Sequence, residues 1–354
     1  MPTTLATPPA EPRLPRYLQA LDALRRDVLA GVYPKRLPTE LELAKRYGVS
    51  RMTLRRALGV MVDEGVLEGR RGLGTFLKEQ EAPSYTVVLA MAEDLVVNPD
   101  DPYHQQMVIS AIHASSRRGW TLRVVPSIAK LKAHLTAGRN LSTAGCIALA
   151  FDADDAQQLA ELALPVVTVD GEPLANRAAV MPENIKSTAQ VVQRLIALGH
   201  REIVHCSGKL NSASGRERLQ SWLGTMAAQG VPLRDGAVHQ GRFLISDGYA
   251  AMAQWWTAPV RPTAVVCAND MMAMGAMYWL QEHGVAIGSQ VSIVGCDGSS
   301  VSRLAFPGLA TLVLDFNAHL DSALQALLDG SPPGIRRSPM TLREGTSLRP
   351  APVP

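Results

Sequence analysis

Apolar positions in the first eighty residues recur at helical spacing, whereas from Thr86 onward they gather into short continuous runs. The change of period divides the chain. In the first part, residues 17–30 place Leu18, Leu21, Leu24, Val28 and Leu29 on one helical face, and Gly31 closes it. Thr39 lies three residues before Glu42, the spacing of a capping box, and starts a second helix whose apolar face is Leu41, Leu43 and Ala44. Gly48 stops that helix and Ser50 caps a third. The third helix sets Leu54, Ala57, Leu58, Met61 and Val62 on one side and leaves Arg51, Arg55 and Arg56 for other surfaces; Gly65 ends it. Residues 66–68 and 75–77 read as short strands around 69–74, a glycine-rich hairpin with a basic tip. Two short helices joined by a tight turn, the second bearing arginines, form a helix-turn-helix. The basic hairpin after it is a wing, able to reach a phosphate strand or a minor groove. A plain three-helix domain with solvated arginines is the blander reading. The agreement in order of cap, arginine helix and wing weighs against it.

In the second part, apolar runs at 86–91, 121–125, 145–149 and 166–169 alternate with helical stretches at 103–118, 130–137 and 153–162. The alternation restarts with a helix at 184–198 and continues through strands at 203–206, 264–267 and 291–294. Residues 309–314 are a strand or a crossover, 318–328 a helix, and the tail from 331 holds at most short strands. Such alternation predicts an α/β fold, parallel sheets covered on both faces. Two doubly wound units in tandem imply two lobes, with ligands bound beyond the carboxyl ends of the strands. The expected organisation is a disordered tail at 1–12, a winged helix-turn-helix at 13–79, a linker at 80–85 and a two-lobed domain at 86–348. Its lobe 1 covers about 86–181 and 316–343, and its lobe 2 about 182–315 and 344–350.

Charge sharpens this division. The 354 residues carry a net +3, but residues 13–79 hold 14 Lys/Arg against 8 Asp/Glu, leaving 21 against 24 elsewhere. A basic head on a slightly acidic body suits nucleic acid at one end and other work at the other. Lys35, Arg36, Thr39, Ser50, Arg51, Thr53, Arg55, Arg70, Arg71 and Gly72 are the candidate DNA-binding residues. The four cysteines form no C-x-x-C pair and each lies in or beside an apolar run, as reduced, partly buried thiols of a cytosolic protein do. The first twelve residues have no signal-peptide character, and no apolar run approaches membrane-spanning length.

The polar residues at strand ends point to a binding site. Asp170 ends one strand, Arg216 and Arg218 follow another, Asn269 or Asp270 follows Cys267, and Asp297 follows Val294. Carboxylates accept hydrogen bonds from hydroxyls, while arginine and asparagine donate in set directions. Such a cleft suits a small polyhydroxylated ligand, with Phe243 as a stacking face; Trp255 and Trp256, inside a helix, read as core. Each polar residue could instead be a helix cap, as Asn269 before Asp270 certainly can.

These motifs carry two resemblances. Leu37-Pro38-Thr39-Glu40, Gly48-Val49-Ser50-Arg51, Thr53-Leu54-Arg55, Ala57-Leu58 and Gly72-Leu73-Gly74-Thr75-Phe76 resemble the DNA-binding domain of GntR-family bacterial regulators, although Leu41 stands where that family often has arginine. Residues 85–348 resemble the LacI/GalR effector domain, of the periplasmic-binding-protein-like type I fold. The matching motifs are residues 197–203, Arg216-Glu217-Arg218, residues 262–270 with 273–276, and 292–297. The resemblance implies sugar contacts at Arg218, Asn269, Asp297 and Asp170, with Phe243 stacking. Asn184 replaces the family's usual aspartate, Cys296 its common aromatic, and Leu314 an often polar contact. The combination resembles arabinose-repressor-type regulators.

The expected protein is therefore a cytoplasmic, ligand-responsive transcriptional repressor. As a homodimer joined through helices near 103–118 and 271–282, it would read a two-fold symmetric operator. Its effector would be sugar-like, bound by Asp170, Arg216, Arg218, Phe243, Asn269 and Asp297. The alternative is a sugar-binding receptor or transport protein. No metalloprotease, Walker or nucleophile-elbow motif occurs, so no enzyme, metal or cofactor is expected. Cys206, Cys267 and Cys296 fall at neighbouring strand ends; small buried hydrophobes are the simpler reading, a redox or soft-metal role the other.

Overall fold

The fold is taken from a computed structural model that describes residues 15–70, 73–77, 85–92, 101–136 and 143–352. The expected tail at 1–12 and linker residues 80–84 lie outside these, as do Arg71 and Gly72. The chain forms two compact units with the boundary between Tyr85 and Thr86.

The first unit holds α1 (Arg16–Leu29), α2 (Glu40–Arg46) and α3 (Arg51–Asp63), followed by an antiparallel hairpin of β1 (Leu67–Arg70) and β2 (Gly74–Leu77). Leu24, Leu43, Leu54, Ala57, Leu58, Met61 and Leu67 make its core. Each such large side chain contributes about 1.5–3 kcal/mol on burial. Thr39 and Glu42 cap α2 reciprocally, Gly48 takes the left-handed conformation at φ +62°, and the Ser50 hydroxyl accepts from Thr53 N at 3.1 Å. The turn between helices is thus built by the residues whose chemistry predicts it. Leu41 and Val62, expected on apolar faces, are exposed at 65% and 40%. The buried face of α2 centres on Leu43 and Ala44, which leaves Leu41 at its flank.

The second unit contains two six-stranded sheets among the described residues. The first has β3 (Thr86–Met91), β4 (Thr121–Val125), β5 (Thr143–Leu149), β6 (Val166–Val169), β7 (Ala178–Pro182) and β13 (Gly334–Ser338), in the order β13-β7-β6-β5-β3-β4. The second has β8 (Ile203–Ser207), β9 (Val238–Gln240), β10 (Ala264–Cys267), β11 (Ser292–Asp297), β12 (Ala310–Leu314) and β14 (Met340–Arg343), in the order β14-β12-β11-β10-β8-β9. The second sheet is parallel except for β14, antiparallel to β12 at its edge. β3, β6, β7, β8, β10 and β11 are buried throughout, which explains their predominantly apolar composition.

The helices that bear on the site are α4 (Pro102–Ser116), α7 (Asn184–Ala197), α8 (Ala213–Ala228), α9 (Ile245–Trp256), α10 (Asp270–Glu282) and α12 (Phe316–Asp329). Shorter helices are α5 (Ile128–Thr136), α6 (Ala153–Ala160) and α11 (Ser300–Leu304). Helices α9 and α10 touch backbone to backbone: a Cβ on Gly248 would lie 1.8 Å from Met272 O, and one on Gly275 1.9 Å from Ile245 O.

The chain crosses between sheets after Pro182, after Leu314 and between Ser338 and Met340. Residues 340–343, which the sequence pattern assigns to lobe 1, therefore pair in the second sheet with β12. The strand β7 escapes periodicity because its five residues end in proline and merge with the turn before α7.

Candidate functional site

On the first unit, α3 presents Arg51 and Arg55, each with its side chain 64% exposed. Arg55 donates to both Glu40 carboxylate oxygens, at 3.2 and 2.8 Å, and Arg51 lies 4.0 Å from the same carboxylate. Glu40, the first residue of α2, thereby holds both guanidiniums over the start of α3. Arg56 turns the other way and covers the Tyr17 ring at 4.0 Å. Thr39, Ser50 and Thr53 are engaged as caps or cap partners. The segment 35–37 runs beside the wing: Leu37 N donates to Thr75 O and Leu77 N to Lys35 O, both at 3.0 Å. Arg36 and Arg70 lie over the Phe76 ring at 5.7 and 4.9 Å. The structure so gathers Lys35, Arg36, Arg51, Arg55 and Arg70 on one small unit, while Arg71 and Gly72 fall outside the described residues.

On the second unit, a cavity of about 350 Å³ opens between the two sheets' carboxyl ends. Its lining includes Asp170, Arg218, Phe243, Asn269 and Asp297, five of the six residues expected from the sequence to bind the effector. Arg216 is the sixth and does not line it; its guanidinium pairs instead with Glu172 at 2.6 Å. The reason is helical geometry: two residues apart on α8, Arg216 and Arg218 point to different sides. Asp101, Tyr103 and His104 at the start of α4, Lys209, Ser212 and Ser214 around the start of α8, and Arg242 and Leu244 beside Phe243 complete the polar and apolar wall. Sequence pattern alone passes over these, although Lys209 also follows a strand and obeys the same strand-end rule.

Arg218 is the hub. It is 5% exposed, donates Nε to Asn184 Oδ1 at 2.9 Å, bonds Ala268 O, and lies 3.5 Å from Asp297 Oδ1. Asn184, in the position where aspartate is expected, also donates to Ser214 Oγ at 3.2 Å and Glu217 Oε2 at 2.8 Å. Glu217 is doubly bonded to Arg337. Burial pushes the Glu217 carboxyl up, but hydrogen bonds from Arg337 and Asn184 carry it below its ordinary value. Burial drives Asp297 well above the carboxylate range, against the opposing pull of Arg218.

Asp170 accepts from the Tyr103 hydroxyl and meets His319 Nε2 at 3.0 Å, with His319 Nδ1 2.6 Å from Ser338 Oγ. Asn269 both caps α10, accepting from Met272 N at 2.9 Å, and donates to Phe243 O at 3.0 Å. For Asn269 the cap and the site are therefore one arrangement. Asp270 turns inward, accepting from Thr311 and Ser299.

Among the described residues, the non-glycine positions with positive φ are Ala150 (+58°), Asp170 (+54°), Phe243 (+69°) and Asp297 (+112°). All four line this cavity. Such conformations cost on the order of 1–3 kcal/mol each and persist where the surroundings over-determine them, typically at ligand sites. For a bulky residue such as Phe243 the conformation is a genuine outlier. Its carbonyl is pinned by Asn269 and its ring lies directly over Gly208, where a Cβ would come within 2.0 Å of the ring.

All four cysteines are buried and free, and burial raises each thiol, that of Cys146 to about 12. Cys206 and Cys267 are strand partners, and Cys296 lies on the adjacent β11. No cluster able to hold a metal occurs among the described residues. Trp255 is core, as expected. No described helix is long and apolar enough to cross a membrane.

Residues 16–77 match the family described as bacterial regulatory proteins, gntR family, and residues 192–350 match the periplasmic binding protein-like domain. The chain joins a GntR-family helix-turn-helix head to a periplasmic binding protein-like body. It has the two-part build of a transcriptional regulator. The HTH-type transcriptional repressor PurR of Haemophilus influenzae is 26% identical over 78% of this chain and 86% of its own length. PurR of Escherichia coli is 33% identical over 168 residues, 47% of this chain and 49% of its own. Among solved structures, a LacI transcriptional regulator from Rhodococcus superposes with TM-score 0.66 at 23% identity, covering 76% of this chain and all of its own. The lac repressor dimer bound to operator and the anti-inducer ONPF gives 0.65 at 24%, over 77% and 96%. The CelR–cellobiose complex gives 0.66 at 24%, over 88% and 100%. These structures fix the fold of the GntR-headed chain's body; its relatives in sequence are transcriptional repressors rather than enzymes.

Proposed function

We propose that this chain represses transcription as a homodimer on operator DNA, and that a small polyhydroxylated effector, a sugar or sugar derivative, binds between its lobes and alters operator affinity. The observation that carries the effector half is the convergence of all four strained non-glycine residues on one cavity. Asp170 and Asp297 would accept from ligand hydroxyls, Arg218 and Asn269 would donate, and Phe243 would cover a ring face. CelR's complex with cellobiose supports a sugar in this fold.

For DNA, Arg51, Thr53 and Arg55 would meet the major groove, while Lys35, Arg36, Arg70 and Arg71 hold phosphates or the minor groove. Exposed Ile109 and Ile112 on α4 and Tyr278 on α10 support those helices as dimer surfaces. A regulator acting on DNA belongs in the cytoplasm. The proposed domain limits follow the sequence reading, with 340–343 moved to lobe 2. The test is fluorescence anisotropy with DNA from upstream of the chain's own coding region. Steeply salt-dependent binding is expected; no binding at low salt would sink the reading.

A further inference from the structure

The cavity's charges are sorted by depth. Asp101, Asp170, Arg218, Asn269 and Asp297 are buried, between 5% and 7% exposed, and each is engaged within the protein: Arg218 with Asp297, Asp170 with Tyr103 and His319, Asn269 with Phe243 O, and Asp101 with the first turn of α4. Arg242 lies at the rim and is exposed, with Lys209 half-buried beside the same wall. Both rim cations belong to the lobe of β8 and β9. Lys209 follows Gly208, the residue under the Phe243 ring, and Arg242 precedes Phe243, so the two cations flank the ring's seat.

The loop carrying Arg242 is fixed. Gly241 N donates to Ser207 O at 2.9 Å, Arg242 N and Leu244 N both donate to Asp247 Oδ2, at 2.5 and 3.0 Å, and Phe243 O accepts from Asn269. With its backbone so held, the Arg242 guanidinium has no hydrogen bond or ion pair among the described residues. A rigid loop that offers an unengaged guanidinium to the mouth of a cavity is preorganised for an anion.

We infer that the effector is acidic: a polyhydroxylated ring whose hydroxyls face Asp170, Asn269, Arg218 and Asp297, with a phosphate or carboxylate at the rim on Arg242 and Lys209. The inference rests on the proposed effector cavity and adds the ligand's charge. A guanidinium binds either anion bidentately, so the two share one chemistry.

The test is isothermal titration of the full chain with matched sets: glucose, galactose, fructose and ribose, each with its terminal phosphate and the sugar acids glucuronate, galacturonate and gluconate. Inorganic phosphate alone is the control. The expected result is that one acidic member binds about tenfold or more tightly than its neutral parent. Its affinity should fall with sodium chloride, and Arg242→Gln should weaken it far more than it weakens the parent. Phosphate esters ahead of uronates would identify the anion as phosphate, and the reverse order as carboxylate. A neutral parent that binds as tightly as its acidic forms, or an acidic ligand indifferent to Arg242→Gln, overturns the inference while leaving the sugar reading intact. A set in which nothing binds overturns both.

Discussion

Acid should weaken this fold through buried histidines, of which His205 has its pKa lowered furthest and His200 is lowered in the same direction. His205, on β8, is 1% exposed and lies stacked on Trp222 with ring centroids 5.6 Å apart. Its Nδ1–H donates to Val266 O at 2.9 Å, and Nε2 is buried with no partner among the described residues. Burial lowers its pKa from the ordinary 6.5 to about 4; the Val266 bond resists this and the nearby Arg218 charge adds to it. The unfolded chain takes a proton below pH 6.5, whereas the fold refuses it until about pH 4. Stability is therefore full above 6.5 and is lost as pH falls toward 4. Relative to pH 7, linkage over that gap removes about 2 kcal/mol by pH 5. That corresponds to a fall in Tm of roughly 4–8 °C. Asp101, Asp270 and Asp297, raised by burial, act in the opposite direction as pH falls. Their effect cancels in a comparison with His205→Gln, which can still donate to Val266 O but cannot titrate. Thermal melts of both proteins at pH 7 and pH 5 should show the wild type losing about 2 kcal/mol more than the variant. Parallel losses would refute the assignment of a neutral buried imidazole.

Three other perturbations probe the two sites. Arg218→Met strips buried Asn184 Oδ1 and Ala268 O of their donor, and should cost about 1–3 kcal/mol for each orphaned acceptor in urea unfolding while removing effector binding in titration calorimetry. Gly208→Ala places a Cβ within 2.0 Å of the Phe243 ring, so the ring must leave its seat; about 1–3 kcal/mol of stability and at least tenfold in effector affinity should go with it. Arg55→Ala should weaken operator binding by about 1–3 kcal/mol in anisotropy, since its exposed pair with Glu40 contributes little to the fold and Tm should barely move.

The head was almost wholly legible because its signals are local. A capping box, a left-handed glycine and a serine cap specify each turn within a few residues. Leu41 shows the limit: its apolarity suggests burial, and only the packing angle of a seven-residue helix exposes it. The cavity was legible by the strand-end rule, which delivered Asp170, Arg218, Asn269 and Asp297, with Phe243 added as a stacking face. It wrongly added Arg216, because proximity in sequence on a helix is not a shared direction. It also missed Tyr103 and His319, which meet Asp170 from α4 and α12. Those contacts join residues 67 and 149 positions apart, and no local pattern encodes them. The third crossover was hidden for a similar reason: β13 and β14 are separated by one residue, Pro339, and short exposed strands carry little periodicity.

The central claim is that a ligand in the cavity controls what the head does on DNA. The direct measurement is operator affinity by anisotropy, at fixed salt, with and without a saturating effector taken from the titration set. The account predicts a shift of about fivefold or more, in either direction, absent from Arg218→Met at the same effector concentration. An effector that binds the cavity stoichiometrically and leaves operator affinity unchanged would contradict it.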